Sequence, residues 1–578
     1  MRRVLSLLLA LSSLLLSFWV VLTEPYIIKP APFKLHEAIH PLYFAGLAIL
    51  VLSLAILSIK SFESSHFGFS QYLATALLIT LYLQLPPLAL FEHPISDHIL
   101  HIVPAFYALK SGDILNMPNN PSPISFAPQF FVYSFMVITS LSRPLENLHR
   151  VSLFILPLSI TLLIYIFMKR LGADERFAMM ASVLNMGLSY VSFMFLRQTY
   201  AMPLYIMLFF LIFMRLREKR ISYAILAMIT ALTLIMSDPA HVILTIIPLL
   251  TFSAIQTIKT QLIRESEHRR FENPCKLVVF IYVTFLLWTL HRNPYFPVGL
   301  YNHVIWMWSV FIKSINELTY PYPESPAYWG ERTALTYNAY YMVLYKISLV
   351  LRSLSIVMPA LLLIYIFLNK RYERLILDPR TLSLMSFFSI TTVVLLLRGY
   401  ALTYTPWAAM LLFYTLNLLS RDKQASRKTL SIFLLFTTLF LLLSVAVAPL
   451  RTHIGGGGSR MSTRDLYTLS WLGRYSADIH MISPQWARHL GELIYIETGT
   501  HVTISDYLFY RGLTSESIER LAMYDNVIIP LSAVMYLERT DAIYSAQEAF
   551  EILAYELSND HNLIYSTGWP FTTIWIAP

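Results

Sequence analysis

Three side chains able to take up, release or hold a proton stand close together in "EHPISDHILHIVPAFYALKSGD": Asp97, His98 and His101. The stretch begins at Glu92, directly after a long apolar run. At helical spacing Asp97 and His101 share one face, while Ile99, Val103 and Phe106 fill the other. Gly112 and "NMPNNPSP" then force an irregular turn. A carboxylate at the mouth of a membrane cavity loses part of its hydration, which raises its pKa and makes it a competent base. With the histidine it could instead hold a divalent cation, Asp97 and His101 being the ligands. A helix cap or a solvated loop accounts for the same residues without chemistry.

Other charged residues stand at the ends of apolar runs. Arg197 and Arg398 offer planar forks suited to a phosphate, or they are interfacial anchors whose stems lie along lipid. In "MSDPAHV" Asp238 fits a helix cap, with Pro239 at the first helical position, and His241 could face a cavity. Lys346 and Arg352 are inside a span if the helix begins at Asn338, where buried charge is costly. They are interfacial if it begins near Ser353. The stretch "YNHVIWMWSVFIKS" reads as a helix lying in the headgroup layer. The next, "TYPYPESPAYWGERTALTYNAYY", is rich in tyrosine. Its tyrosines suit stacking on sugar faces or an interfacial belt, and Tyr328, Trp329 and Arg332 suit part of a lid.

The elements that must position these residues are written in the composition. The chain has 578 residues, 56% hydrophobic and 13% charged. Apolar runs separated by short charged clusters read as a polytopic α-helical membrane protein. The expected spans are Val4–Leu22, His40–Ile59, Gln71–Leu90, Val151–Met168, Phe177–Leu196, Tyr200–Met214, Ile221–Met236, Val242–Ile258, Leu277–Leu290, Ser353–Asn369, Leu382–Leu397, Leu402–Leu419 and Leu430–Val447, about thirteen in all. The start, "MRRVLSLLLALSSLLLSFWVVLTEP", resembles a signal peptide but has a long apolar core and no A-x-A pattern, so it reads as a retained first span. The net charge of +9 belongs to membrane topology and says nothing for nucleic acid. The single cysteine, Cys275, excludes an intrachain disulfide.

Charge also orients the chain. The segment "FAPQFFVYSFMVITSLS" could be a further crossing. If it does not cross, "MRR", "KRLGADER", "MRLREKR", "KTQLIRESEHRRFENPCK", "NKRYER" and "SRDKQASRK" all fall on one side, as Lys and Arg do in short cytoplasmic loops. The segment therefore reads as interfacial. The N-terminus is then cytoplasmic, and the outer loops are 91–150 and 291–341. Residues 1–450 form the membrane domain and 451–578 an extracytoplasmic domain.

The composition shifts at "RTHIGGGGSRMS", where Gly455–Gly458 make a flexible joint. Beyond it lies enough chain for one small α/β domain. "TRDLYTLSWLGRY", "SPQWARHLGELIYIE" and "SAQEAFEILAYELSND" have helical spacing, the last with a capping box from Ser545 to Glu548. "DNVIIPLSAVMYL" is strand-like at its start, and "NLIYSTGWPFTTIWIA" reads as a terminal hairpin.

The sequence resembles the GT-C superfamily of integral-membrane glycosyltransferases, which includes protein O-mannosyltransferases, lipid A aminoarabinose transferases and oligosaccharyltransferases. The likeness rests on Asp97, His101 and Gly112 with "NMPNNPSPISFAPQFF", on "IYIFMKRLGADERFAMMASVLNMGLSY", on "RGYALTYTPWAAMLL", and on "DLYTLSWLGRY" and "LIYSTGWPFTTIWI" in the tail. It implies a sugar donor on polyprenyl or dolichyl phosphate and a protein, lipid or glycan acceptor outside the cytoplasm. Asp97 would be the base or would position the acceptor. His98, His101, Arg197, His241, Arg332 and Arg398 would line the substrate site, with a divalent cation possible at Asp97 and His101. The loop with Asp97 follows the third span, so two extra helices precede it. The next outer loop, "MFLRQTYAM", carries no second carboxylate, and the oligosaccharyltransferase signature WWDYG is absent. An inactive GT-C-like scaffold of a cell-envelope assembly, or a transporter or flippase, would share this architecture. A transporter should show two similar halves, and no internal repeat is visible.

Overall fold

The apolar runs become helices. The computed structural model describes residues 2–22, 40–60, 69–89, 92–94, 144–188, 197–238, 242, 245–254, 275–292, 301, 305, 308–309, 339–369, 379–396, 401–421, 427–454, 460–462, 478–482, 501–505, 526–529, 562–566 and 573–576. Within them the first helices are α1 (Arg2–Leu22), α2 (Pro41–Lys60), α3 (Phe69–Ala89), α4 (Pro144–Arg170), α5 (Glu175–Leu188), α6 (Arg197–Glu218) and α7 (Ile221–Ser237). Then follow α8 (Thr245–Ala254), α9 (Cys275–Arg292), α10 (Ala339–Leu368), α11 (Pro379–Leu396), α12 (Ala401–Arg421) and α13 (Arg427–Ile454). Several helices run past the expected spans, α13 reaching Ile454 rather than Val447, and for α10 the structure takes the earlier of the two starts left open. Helix α4 begins at Pro144 rather than Val151, and α10 begins at Ala339, which places Lys346 and Arg352 within it.

The outside of this bundle is greasy. Leu7, Val21, Leu287 and Leu368 are 68%, 79%, 67% and 80% exposed, and Ile229, Val279, Leu361 and Phe436 are exposed as well. Apolar surface on so many helices has no place in water and fits lipid. By length and composition alone, only Val4–Leu22 among the described residues spans a bilayer; other helices carry apolar stretches of 10–17 residues. Inside, hydroxyls satisfy themselves on the preceding turn, as lipid surroundings demand. Thr80 donates to the Ala76 carbonyl, Thr391 to Phe387 and Ser444 to Phe440.

Helix α5 is the centre. It packs against α3, α4, α10, α12 and α13, and every residue from Phe177 to Leu188 is buried. Its small side chains permit this. At Gly187 an added Cβ would lie 3.0 Å from the backbone carbon of Ser444 in α13. Beside it, Trp407 of α12 is enclosed by Tyr205, Phe209 and Phe387, with ring centroids 5.5, 5.3 and 5.9 Å away.

Side-chain contacts fix the direction of most helices. Trp19, late in α1, packs on Tyr43 at the start of α2, with centroids 5.1 Å apart. The Tyr43 hydroxyl donates to the Tyr82 carbonyl, late in α3, at 2.5 Å. Tyr72, early in α3, stacks on Tyr165, late in α4, at 4.0 Å. Helices α3 and α4 are thus antiparallel, so the end of α3 at Ala89 and the start of α4 at Pro144 lie at the same face.

In the tail, β3 (Asp478–Ile482), β4 (His501–Ser505), β5 (Asn526–Ile529), β6 (Asn562–Ser566) and β7 (Thr573–Ile576) form one mixed sheet of order β4-β3-β5-β7-β6. The β6–β7 hairpin and the start of β5 match expectation. The parallel pairing of β3 with β4 and β5 does not, since neither β3 nor β4 was expected. Parallel pairing needs long crossovers, and segments 483–500 and 506–525 supply the length. The helices expected in the tail, including the capping box at Ser545, lie outside the described residues.

Candidate functional site

The turn between α4 and α5 sets one end of the bundle. Gly172 adopts φ +92, and Gly172 and Ala173 donate to the carbonyls of Lys169 and Met168, a Schellman ending that reverses the chain. Asp174 then meets Arg421, the last residue of α12, and its backbone N–H donates to Asn417 Oδ1 at 3.0 Å. Arg217 of α6 donates to the Arg170 carbonyl at the same end. Phe252 of α8 packs on Phe213, late in α6, and Tyr365, late in α10, on Phe433, early in α13. The start of α1 belongs to this face as well, since Gln71 Nε2 donates to Ser6 Oγ.

The opposite face therefore gathers the ends of α1, α3, α5, α7 and α13 and the starts of α2, α4, α6, α8, α10 and α12. A small ladder closes it. Strand β1 (Glu92–Pro94), just past α3, pairs antiparallel with β2 (Arg460–Ser462), just past α13, Glu92 standing opposite Ser462 and Pro94 opposite Arg460. The segment entering the Asp97 loop and the segment entering the tail are stitched together there.

Of the sequence candidates, Arg197 heads α6 on this face. Asp97, His98, His101, His241, Arg332 and Arg398 lie outside the described residues, as do Tyr328 and Trp329. Their flanks are described for three stretches. Asp97 and the two histidines follow β1, His241 stands between Asp238 and α8, and Arg398 falls in the link 397–400 that leads into α12. All three flanks belong to this face. Among the described residues no group of three or more His, Cys, Asp or Glu stands ready to hold a metal ion. The two candidate ligands Asp97 and His101 are outside them.

Two features of this half of the bundle were not read from the sequence, the burial of Asp238 and a buried amide–hydroxyl pair. Asp238 is only 2% exposed, and its backbone N–H closes α7 on the Leu234 carbonyl at 2.9 Å. It thus ends the preceding helix, while Pro239 to His241, on which its reading as the cap of the next helix depends, lie outside the described residues. A cap residue looks water-exposed in sequence, so its burial had no local signal. Asn185 of α5 and Thr405 of α12, both buried, share a hydrogen bond of 3.2 Å from the Thr405 hydroxyl to Asn185 Oδ1. The amide inside an apolar span was the readable sign of that pair. The face thus offers one helix start headed by an arginine and one enclosed carboxylate.

No family profile matches the chain, and no curated protein does. The chain is similar to two solved structures of ArnT from Cupriavidus metallidurans. One, bound to undecaprenyl phosphate, has a TM-score of 0.45 and 10% identity over 88% of this chain and 97% of that one. The other, in the apo state, has a TM-score of 0.42 and 9% identity over the same shares.

Proposed function

We propose that the chain is a membrane glycosyltransferase that moves a sugar from a polyprenyl-phosphate donor to an acceptor at the face bearing β1 and β2, with Asp97 as base or acceptor-positioning residue. The sequence resemblance supplies the reaction class. The observation that carries the reading is the polarity of the helices. It brings the flanks of Asp97, His241 and Arg398, and the helix start at Arg197, to one end of a bundle whose sides face lipid. A donor with a polyprenyl tail can reach such an end only through the bilayer, which explains why the chemistry sits on membrane helices.

In the proposed step, the acceptor oxygen or nitrogen attacks the anomeric carbon and its proton passes to the Asp97 carboxylate. The bond from the anomeric carbon to the phosphate oxygen breaks, and that oxygen keeps the electron pair. Guanidinium groups stabilise the departing phosphate. Arg197 and Arg398 are the candidates, with Arg332 on the other outer loop.

The test is incubation of the purified full chain, in nanodiscs, with polyprenyl-phosphate sugars. Release of free polyprenyl phosphate that disappears in Asp97→Asn supports the reading. Inertness toward every donor supports a scaffold, and donor crossing the bilayer without hydrolysis supports a flippase.

A further inference from the structure

At the face that carries the N-terminus, the last turns of α4 and α6 leave a narrow crevice lined by Phe167, Leu171, Phe210, Phe213, Arg170 and Arg217. Its floor is apolar, and Phe167 and Phe213 are buried in the bundle. Its rim is cationic. The carboxylates nearby already have partners: Asp174 has Arg421, Glu175 accepts from the Tyr165 hydroxyl, and Glu218 has Arg220 and Tyr223. Among the described residues no ion pair reaches Lys169, Arg170, Arg217 or Lys219. Arg217 spends one N–H on the Arg170 carbonyl, which leaves the guanidinium charge itself uncompensated.

We propose that the exposed arginine rim of this crevice, rather than its narrow interior, binds the headgroup phosphate of an anionic phospholipid from the adjoining leaflet. Charge complementarity names the ligand: two guanidiniums from neighbouring helix ends can grip one phosphodiester. Depth names its source. The crevice lies where the bundle passes from apolar side chains to a cluster of Lys and Arg, the level at which headgroups sit, and Phe210, the half-buried phenylalanine of its lining, is accessible to the first methylenes of the acyl chains. Basic pockets between transmembrane helix ends take lipid headgroups for this reason. A soluble phosphate would find the rim but nothing to match the floor. The site is remote from the opposite face, and the proposal stands whether or not the chain transfers sugars.

The test uses the full chain in nanodiscs of phosphatidylcholine with a minority of phosphatidylglycerol, read by native mass spectrometry of retained lipid. Phosphatidylglycerol is retained selectively, and its affinity falls about fivefold for each arginine removed in Arg170→Gln and in Arg170→Gln/Arg217→Gln. Arg220→Gln, on the same face but outside the crevice, retains it as the natural chain does. Arg170→Gln alone keeps the test decisive if the loss of Arg217 disturbs the end of α4. Equal retention in Arg170→Gln and the natural chain overturns the proposal, and so does equal loss in Arg220→Gln. Competition by inorganic phosphate or glycerol phosphate at millimolar concentration also overturns it, because the site would then take free phosphate.

Discussion

Asp174 and Arg421, 247 residues apart, meet at 2.5 Å and lock the start of the central helix to the end of α12. Both side chains are about half exposed, so their charge contributes on the order of 0–1 kcal/mol. The partner beneath them matters more. Asn417 is buried and accepts the Asp174 backbone N–H. In Asn417→Leu that donor is stranded, at a cost of about 1–3 kcal/mol. Thermal unfolding in detergent should therefore show a larger drop for Asn417→Leu than for Arg421→Gln. The reverse order would show that the ion pair is the lock.

Tyr82 fills the space that a side chain at position 46 would need. A Cβ on Gly46 would stand 2.0 Å from the Tyr82 hydroxyl, which donates to the Ser12 carbonyl and accepts from Ser12 Oγ. Gly46→Ala should destabilise the α1–α2–α3 corner, and Tyr82→Phe should lose its hydrogen bonds. Together they should cost less than the sum, because removing the hydroxyl leaves the nearest ring carbon at 3.1 Å. Additive losses in a double-mutant cycle would contradict this geometry.

The crossing of α5 and α13 makes a stricter demand. An alanine at 187 meets both the Cβ and the backbone carbon of Ser444 at 3.0 Å. Gly187→Ala is expected to cost about 1–3 kcal/mol. Ser444→Gly should recover only part of it, since the backbone carbon remains in place. Full recovery would mean that the side chain alone sets the spacing.

Opposite faces should answer to reagents on opposite sides. In a Cys275→Ser background, a membrane-impermeant thiol reagent should label Arg220→Cys and Asp97→Cys from different sides of sealed vesicles. Labelling of both from one side would dismantle the alternation of helix directions, and with it the grouping of candidate residues.

Transfer chemistry gives a separate expectation for Asp97. Asp97→Asn keeps the shape of the side chain and removes the base, so donor turnover should fall by about 10²-fold or more. Asp97→Glu should retain part of it. Turnover unchanged in Asp97→Asn would take the residue out of the reaction.

Sequence carried the helices well because apolar runs are long and local. It carried their ends less well. Lys346 and Arg352 interrupt hydropathy, yet α10 continues through them to Ala339, since a helix needs backbone hydrogen bonds and not an unbroken apolar run. "DIHMI" and "HVTIS" are short and partly polar, and parallel partners arrive from far along the chain, so β3 and β4 left no local trace. The pairing of Glu92 with Ser462 is of the same kind. For the candidate site, residue types and their likely face could be read, whereas the enclosure of Asp238 depends on how α7 packs on α6 and α9.

Four consecutive glycines normally uncouple the pieces they join, but in this chain Gly455–Gly458 come before β2 and not after it. A pull arriving from the tail meets β2 ahead of the glycines, and the pairing of β2 with β1 shares that load with the strand that precedes Asp97.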